Sequence, residues 1–276
     1  MSATTAPHAA GLLPDLDAPR TQVLLAVADD ELVTGHRSSH WTGVAPSMEE
    51  DLAFSTLAQD EINHADVWYS VLVGSDRDRI DALGLGRGAD QYRHAVLTER
   101  PPRDFAYTLA RHWLYDHFDA VRLDALASSS DHEVAAVARK LLHEERYHLE
   151  HADHWFWKIA RGGDEALGKL RDGFEGAWAE VGGLFEPVPA EDDALSAGIV
   201  TATSARLAER WLDRVVPMLQ EADLGAVGAG LERDGAFWRF TELTGTGGRL
   251  GEHSQDWQDA WAEMTFLYRE HPGVTW

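Results

Sequence analysis

Ala58-Gln-Asp-Glu-Ile-Asn-His-Ala65 and Glu144-Glu-Arg-Tyr-His-Leu-Glu-His151 are the stretches on which the reading of this chain turns. Each contains a Glu-x-x-His pair, Glu61/His64 in the first and Glu145/His148 in the second. Residues i and i+3 of an α-helix share one face, about one turn apart. Each pair therefore presents a carboxylate and an imidazole in the same direction. A lone carboxylate precedes each pair at nearly the same distance. Glu31 lies 30 residues before Glu61, and Asp116 lies 29 before Glu145.

The resulting order is carboxylate, Glu-x-x-His, carboxylate, Glu-x-x-His. It is the ligand order of a ferritin-like four-helix bundle. The spacing predicts an all-α fold with Glu31, Glu61, His64, Asp116, Glu145 and His148 as a candidate metal set. Carboxylate and imidazole donors of this kind suit two iron or manganese ions with positions left open for oxygen. One Glu-x-x-His pair carries little information, because helices are rich in solvated Glu and His; the information lies in the repetition. A second reading competes with the first. The same residues can be the remnant of a metal site, kept as a buried network in which each polar group is paired. Asp30 competes with Glu31 and Glu144 with Glu145, although the i, i+3 geometry favours Glu145. Asp116 is one carbon shorter than Glu and reads equally as a surface residue.

Outward from the two pairs, hydrophobic periodicity predicts helices over about 21–42, 47–73, 103–126 and 130–160. Leu24, Leu25, Val27, Leu32 and Val33 mark the apolar positions of the first. Leu52, Phe54, Leu57, Ala58, Ile62, Ala65 and Trp68 mark those of the second. Ser47-Met-Glu-Glu50 and Ser130-Asp-His-Glu133 have the form of capping boxes that open the second and fourth. A charged connection over 74–102 separates two similar halves, whose equivalent ligand positions lie 84 to 85 residues apart. A duplicated helix pair accounts for this. Residues 1–20 read as a flexible N-terminal arm, and 21–276 as one ferritin-like helical domain. Its core bundle is expected over about 21–161, with accessory helices over about 164–181, 202–222 and 252–270. Pro217 is expected to kink the second of these. The stretch 235–244 is ambiguous between helix and strand.

Bulk properties narrow the function. The chain has 276 residues, no cysteine and a net charge of −23. Disulfides and Cys-ligated metal sites are excluded. The charge argues against nucleic acid, whose binding rests on clustered Lys and Arg. No basic-apolar leader and no membrane-length apolar run is present. A cytoplasmic protein acting on neither nucleic acid nor membrane is expected. Eleven tryptophans suggest either a Trp-rich core or some use of Trp at a subunit interface.

Several blocks carry a closer resemblance. They are Asp29-Asp-Glu-Leu-Val-Thr-Gly-His-Arg37, Trp41-Thr-Gly43, Glu49-Glu-Asp-Leu-Ala-Phe54, Ala58 to Ala65, Ala110-Arg111 to Asp116, Glu144 to His151, Gly248-Arg-Leu-Gly-Glu-His253 and His271-Pro-Gly-Val-Thr-Trp276. From about residue 22 to the C-terminus the chain resembles the PaaC family, the C subunits of bacterial ring-1,2-phenylacetyl-CoA epoxidase. The resemblance implies a structural subunit of a monooxygenase complex in aerobic phenylacetate degradation. The implied partners are a homologous catalytic A subunit, in a heterotetramer-like core, and a flavin and iron–sulfur reductase. It places the working di-iron centre in the A subunit and implies either iron or no cofactor in this chain. Many members of the family have lost part of the ligand set, whereas both Glu-x-x-His pairs stand here. An independent di-iron oxygenase is therefore the alternative. Arg37 is expected to neutralise a buried carboxylate if metal is absent, and His36, His40, His143, His151 and His154 to lie at the surface or behind the ligands.

Overall fold

The computed structural model describes residues 4–274. Its long helices, in chain order, are α1 (Pro19–Ser39), α2 (Met48–Val73), α3 (Phe105–Leu126), α4 (His132–Ala160), α5 (Asp164–Trp178), α6 (Ser204–Glu221) and α7 (Gln255–Glu270). The all-α, ferritin-like class predicted from the ligand spacing holds. A small antiparallel hairpin, β1 (Leu231–Asp234) and β2 (Phe237–Phe240), occupies the ambiguous stretch, with Leu231 opposite Phe240.

The chain divides into two compact units. The first comprises Met1–Pro101, Val188–Ala194 and Gly247–Trp276; the second comprises Pro102–Pro187 and Leu195–Thr246. The division after Pro101 falls at the end of the connection that separates the two sequence halves.

In the first unit α1 packs along α2. Pro19 opens α1, where a missing N–H costs nothing. All five apolar positions expected of α1 are buried. In α2 the buried residues Phe54, Leu57, Ala58, Glu61, His64, Ala65 and Trp68 recur at helical spacing, so Glu61 and His64 occupy core positions. Leu52 and Ile62, expected on that stripe, are exposed at 64% and 41%. At 3.6 residues per turn Leu52 falls on the side of the helix opposite the Phe54–Trp68 stripe, and Ile62 falls at the edge of that stripe. Ser47 caps α2 as predicted, its side chain accepting from the Glu50 amide. Gly35 sets the spacing of the pair. A Cβ there would lie 2.9 Å from Ala58 O and from Ile62 Cγ1, and 3.0 Å from Glu61 Cβ. Only a glycine lets the two backbones approach this closely beside Glu61.

The stretch 74–102 begins exposed, at 74–78, and is largely packed from 80 to 99. It is built of short helical turns, and Arg87, His94 and Glu99 within it are fully buried. Part of the expected N-terminal arm is packed too. Ala6 and Ala9 are buried with Ala82 and Tyr268, and the Ala6 amide donates to Gly86 O. Small side chains allow this: a Cβ on Gly86 would lie 2.5 Å from Ala9 Cβ. Residues 1–3 of that arm, and Thr275 and Trp276 of the last resembling block, lie outside the described residues.

In the second unit α3 packs against α4 and α5. Asp131, not Ser130, caps α4, accepting from the amides of Glu133 and Val134. The buried stripe of α4 runs Val134, Ala138, Leu141, Glu145, His148, Ala152, Phe156. Here too the Glu-x-x-His pair stands in core positions. Helix α6 continues through Pro217. Trp113 and Trp211 are fully buried, as are Trp68, Trp257 and Trp261 in the first unit. Those five tryptophans are core residues. The ring N–H of each of four of them reaches an acceptor: Asp153 for Trp113, and the carbonyls of Leu114, Ala89 and Arg87 for Trp211, Trp257 and Trp261.

Candidate metal centre

Three consecutive acids on α1 are all buried: Asp29, Asp30 and Glu31. Successive helical positions point in different directions, and each acid meets different partners. Asp29 accepts from Arg87 Nη1 at 2.9 Å, from Arg87 Nη2, from Tyr69 Oη at 2.7 Å and from the Arg93 amide at 2.7 Å. Burial and the adjacent Asp29 carboxylate push the Tyr69 hydroxyl well above its usual range, so it stays a donor. Asp30 accepts from Arg249 Nη1 and Nη2 at 2.9 and 2.8 Å and from the Ala95 amide at 2.8 Å. Bidentate guanidinium pairing of this kind satisfies a buried carboxylate.

Glu31 is the acid that lies beside His64 of α2. Its Oε2 lies 3.9 Å from His64 Nδ1, beyond hydrogen-bonding reach. Glu31, Glu61 and His64 each offer a ligand atom, and these atoms lie within 4.8 Å of one another. All three residues are at most 2% exposed. Arg249 holds Asp30, and Glu31 is the one of the two that lies beside Glu61 and His64.

The second unit carries a corresponding group. Glu145 Oε1 lies 3.1 Å from His148 Nδ1 within the one helical turn. On α3, Asp116 Oδ2 lies 3.2 Å from His112 Nε2, one turn earlier. Asp116, Glu145, His148 and His112 are all buried, so Asp116 is not a surface residue. Burial first, then the neighbouring rings of His151 and His148, hold His112 well below the usual imidazole range. His112 is therefore neutral near pH 7 and can ligate or accept. Glu144 is exposed and sits 3.6 Å from Lys140 Nζ, which leaves Glu145 as the inward acid.

Arg37 stands in the field of Asp256, Glu263, the buried Glu99 and Asp259. It donates to main-chain carbonyls, Nε to Glu99 O at 2.8 Å and Nη2 to Asp256 O at 2.8 Å. His143 and His154 are exposed, and His151 is half-buried, its ring 5.9 Å from that of His112.

A family model described as phenylacetic acid catabolic protein matches residues 8–276. The chain belongs to that family. Among curated relatives, the C subunit of the 1,2-phenylacetyl-CoA epoxidase of Escherichia coli (strain K12) is 28% identical over 258 residues, covering 93% of this chain and 98% of its own. The resembling blocks quoted above fall inside the matched range.

Spacing alone missed His112, which stands four residues before Asp116. A rule admitting imidazoles one turn before each lone carboxylate would have found it. Spacing also missed a third buried cluster, in the first unit. His94 Nε2 and His253 Nδ1 both lie 3.0 Å from Glu99 Oε2, and the Ser254 amide donates to Glu99 Oε1 at 2.9 Å. Burial, then His253, lowers the His94 imidazole to about 4. The two rings stack at 4.2 Å between centroids. No local motif marks this cluster, because its members come from distant parts of the chain. Among the described residues, no helix is long and apolar enough to cross a membrane.

Proposed function

We propose that this chain is the non-catalytic C-type subunit of a ring-1,2-phenylacetyl-CoA epoxidase in aerobic phenylacetate degradation. It supports a homologous catalytic A subunit that carries the working di-iron centre. The observation that carries the reading is the match to the E. coli protein along 98% of that protein's length. Full-length correspondence favours the same place in the same kind of complex. The −23 net charge suits assembly with a basic partner surface.

A second reading rests on a specific observation. Glu31, Glu61 and His64, and Asp116, Glu145 and His148, are all buried, and in each half the Glu-x-x-His pair stands at core positions. Oxygen and imidazole donors suit iron or manganese rather than thiophilic ions. Within each unit these residues would hold metal, with His112 orienting Asp116 in the second. Bound iron would supply oxygen activation. The protein's own part is to keep the donors dry and to hold His112 neutral.

Purification of the chain alone, and co-expressed with an A-type subunit, tests both readings. The first expects co-purification, with phenylacetyl-CoA turnover only when A subunit and reductase are present. Turnover by this chain alone, with reductant and oxygen, would sink it and establish the second.

A further inference from the structure

Away from these residues, α1 and α7 of the first unit bring together a separate donor set. His36 and His40 lie four residues apart, so both rings project from one face of the end of α1. The rings approach to 5.0 Å between centroids, edge to face. Glu263 on α7 faces both. Its Oε2 lies 3.8 Å from His36 Nε2 and its Oε1 lies 3.6 Å from His40 Nε2. Neither distance is a hydrogen bond. His36 Nε2 is buried and lacks a hydrogen-bond partner in the structure. Two imidazoles and a carboxylate thus converge on one point without bonding each other.

We propose that His36, His40 and Glu263 form a binding site for a borderline divalent cation of the zinc class. A four-coordinate zinc with bonds of about 2.0–2.1 Å holds its donors about 3.3 Å apart. The two carboxylate–imidazole separations need close by only a few tenths of an ångström, and all three donor atoms already lie within 4.8 Å of one another. Two helical imidazoles at i and i+4 are a zinc-ligating arrangement with a direct geometric reason. The fourth position opens to water, because Glu263 is 61% exposed while His40 is 27% and His36 16% exposed. Burial, then His40 and Arg37, keep His36 neutral, as a ligating imidazole must be. Arg37 opposes a cation, but Asp256, Asp259, Glu99 and Glu263 surround its guanidinium. Magnesium and calcium, which require oxygen-rich sets, are excluded. The bound ion would staple α7 to α1.

Titration of Zn2+ into the full chain by calorimetry tests the site, alongside His40→Ala, Glu263→Gln and Glu61→Ala. We expect one binding event that resists millimolar Mg2+, weakens at least tenfold in Glu263→Gln and in His40→Ala, and persists in Glu61→Ala. Co2+ in place of Zn2+ should give visible bands that vanish with the His40 variant. Identical isotherms for the wild type and the two site variants would overturn the proposal. So would loss of the event in Glu61→Ala alone. Should His40→Ala misfold by circular dichroism, Glu263→Gln decides, since it changes an exposed side chain only in charge.

Discussion

Asp30→Ala makes the sharpest prediction. The substitution removes an acceptor of three hydrogen bonds, two from Arg249 and one from the Ala95 amide. Arg249, 3% exposed, keeps the carbonyls of Ala26 and Arg93 at 3.1 and 2.7 Å, neither of which carries a compensating charge. Breaking a buried ion pair from one side costs about 3–5 kcal/mol. At roughly 2–4 °C per kcal/mol for a chain of this size, the melting temperature should fall by about 6–20 °C. Asp30→Leu combined with Arg249→Met should recover at least half of that loss, because replacing both partners with apolar groups is often near neutral. Glu31→Ala, by contrast, should remove metal with a smaller change in melting. Thermal melts by circular dichroism, with metal content by elemental analysis, read both quantities. A loss under about 1 kcal/mol for Asp30→Ala would refute the buried-clamp argument. Loss of metal in Asp30→Ala, with metal retained in Glu31→Ala, would refute the assignment of the inward acid.

Gly35→Ala should destabilise by about 1–3 kcal/mol through overpacking, offset by up to about 1 kcal/mol of helix propensity, and should lower metal occupancy by displacing Glu61; an unchanged urea midpoint and unchanged iron content would count against the close-approach reading. Iron bound after expression in iron-supplemented medium should be lost in both Glu61→Ala and His148→Ala, by elemental analysis of the purified chain; retention in either removes that residue from the set. Acid should weaken the fold in a defined window. His94 has its folded-state pKa lowered to about 4 from 6.5, so the unfolded chain takes up the proton first and stability falls as pH drops from 6.5 towards 4, by about 3 kcal/mol for this group. His36, lowered to about 4 as well, adds the same sign, and Glu99, held below the usual carboxylate range, extends the loss to more acid pH. Urea melts at pH 7.5, 5.5 and 4.5 should show His94→Gln with a shallower decline; a parallel decline would sink the assignment.

Much of the fold was legible because local signals and burial agreed. The stripes of α2 and α4 repeat every three to four residues, and their Glu-x-x-His pairs sit on the same stripe, so one periodicity marked helix and buried face together. Ser47 was readable because a cap is local. What stayed illegible depended on distance along the chain. The packed character of 80–99 comes from the pairing of Arg87 with Asp29 and of Glu99 with His253, and composition there says only "charged". Likewise Asp30 and Glu31 are equivalent in sequence until Arg249 is known to claim one of them. The fourth helix's cap was misread by one residue because Ser130 and Asp131 are both good caps, and geometry alone chooses the aspartate.

The first unit is assembled from stretches far apart in the chain. Asp30 finds Arg249 219 residues later, Glu99 finds His253, and Gly248 fits against His94 so tightly that a Cβ would lie 2.2 Å from its carbonyl oxygen. At about 5–20 residues per second of synthesis, Asp30 waits roughly 10–45 seconds on the ribosome for its counter-ion. During that interval its carboxylate has to stay hydrated, so α1 cannot close into its final burial. The second unit, complete by Thr246, has all its residues before then. The helix that carries Asp30 and Glu31 is thus made before the second unit, yet its Arg249 counter-ion is made only after that unit's last residue.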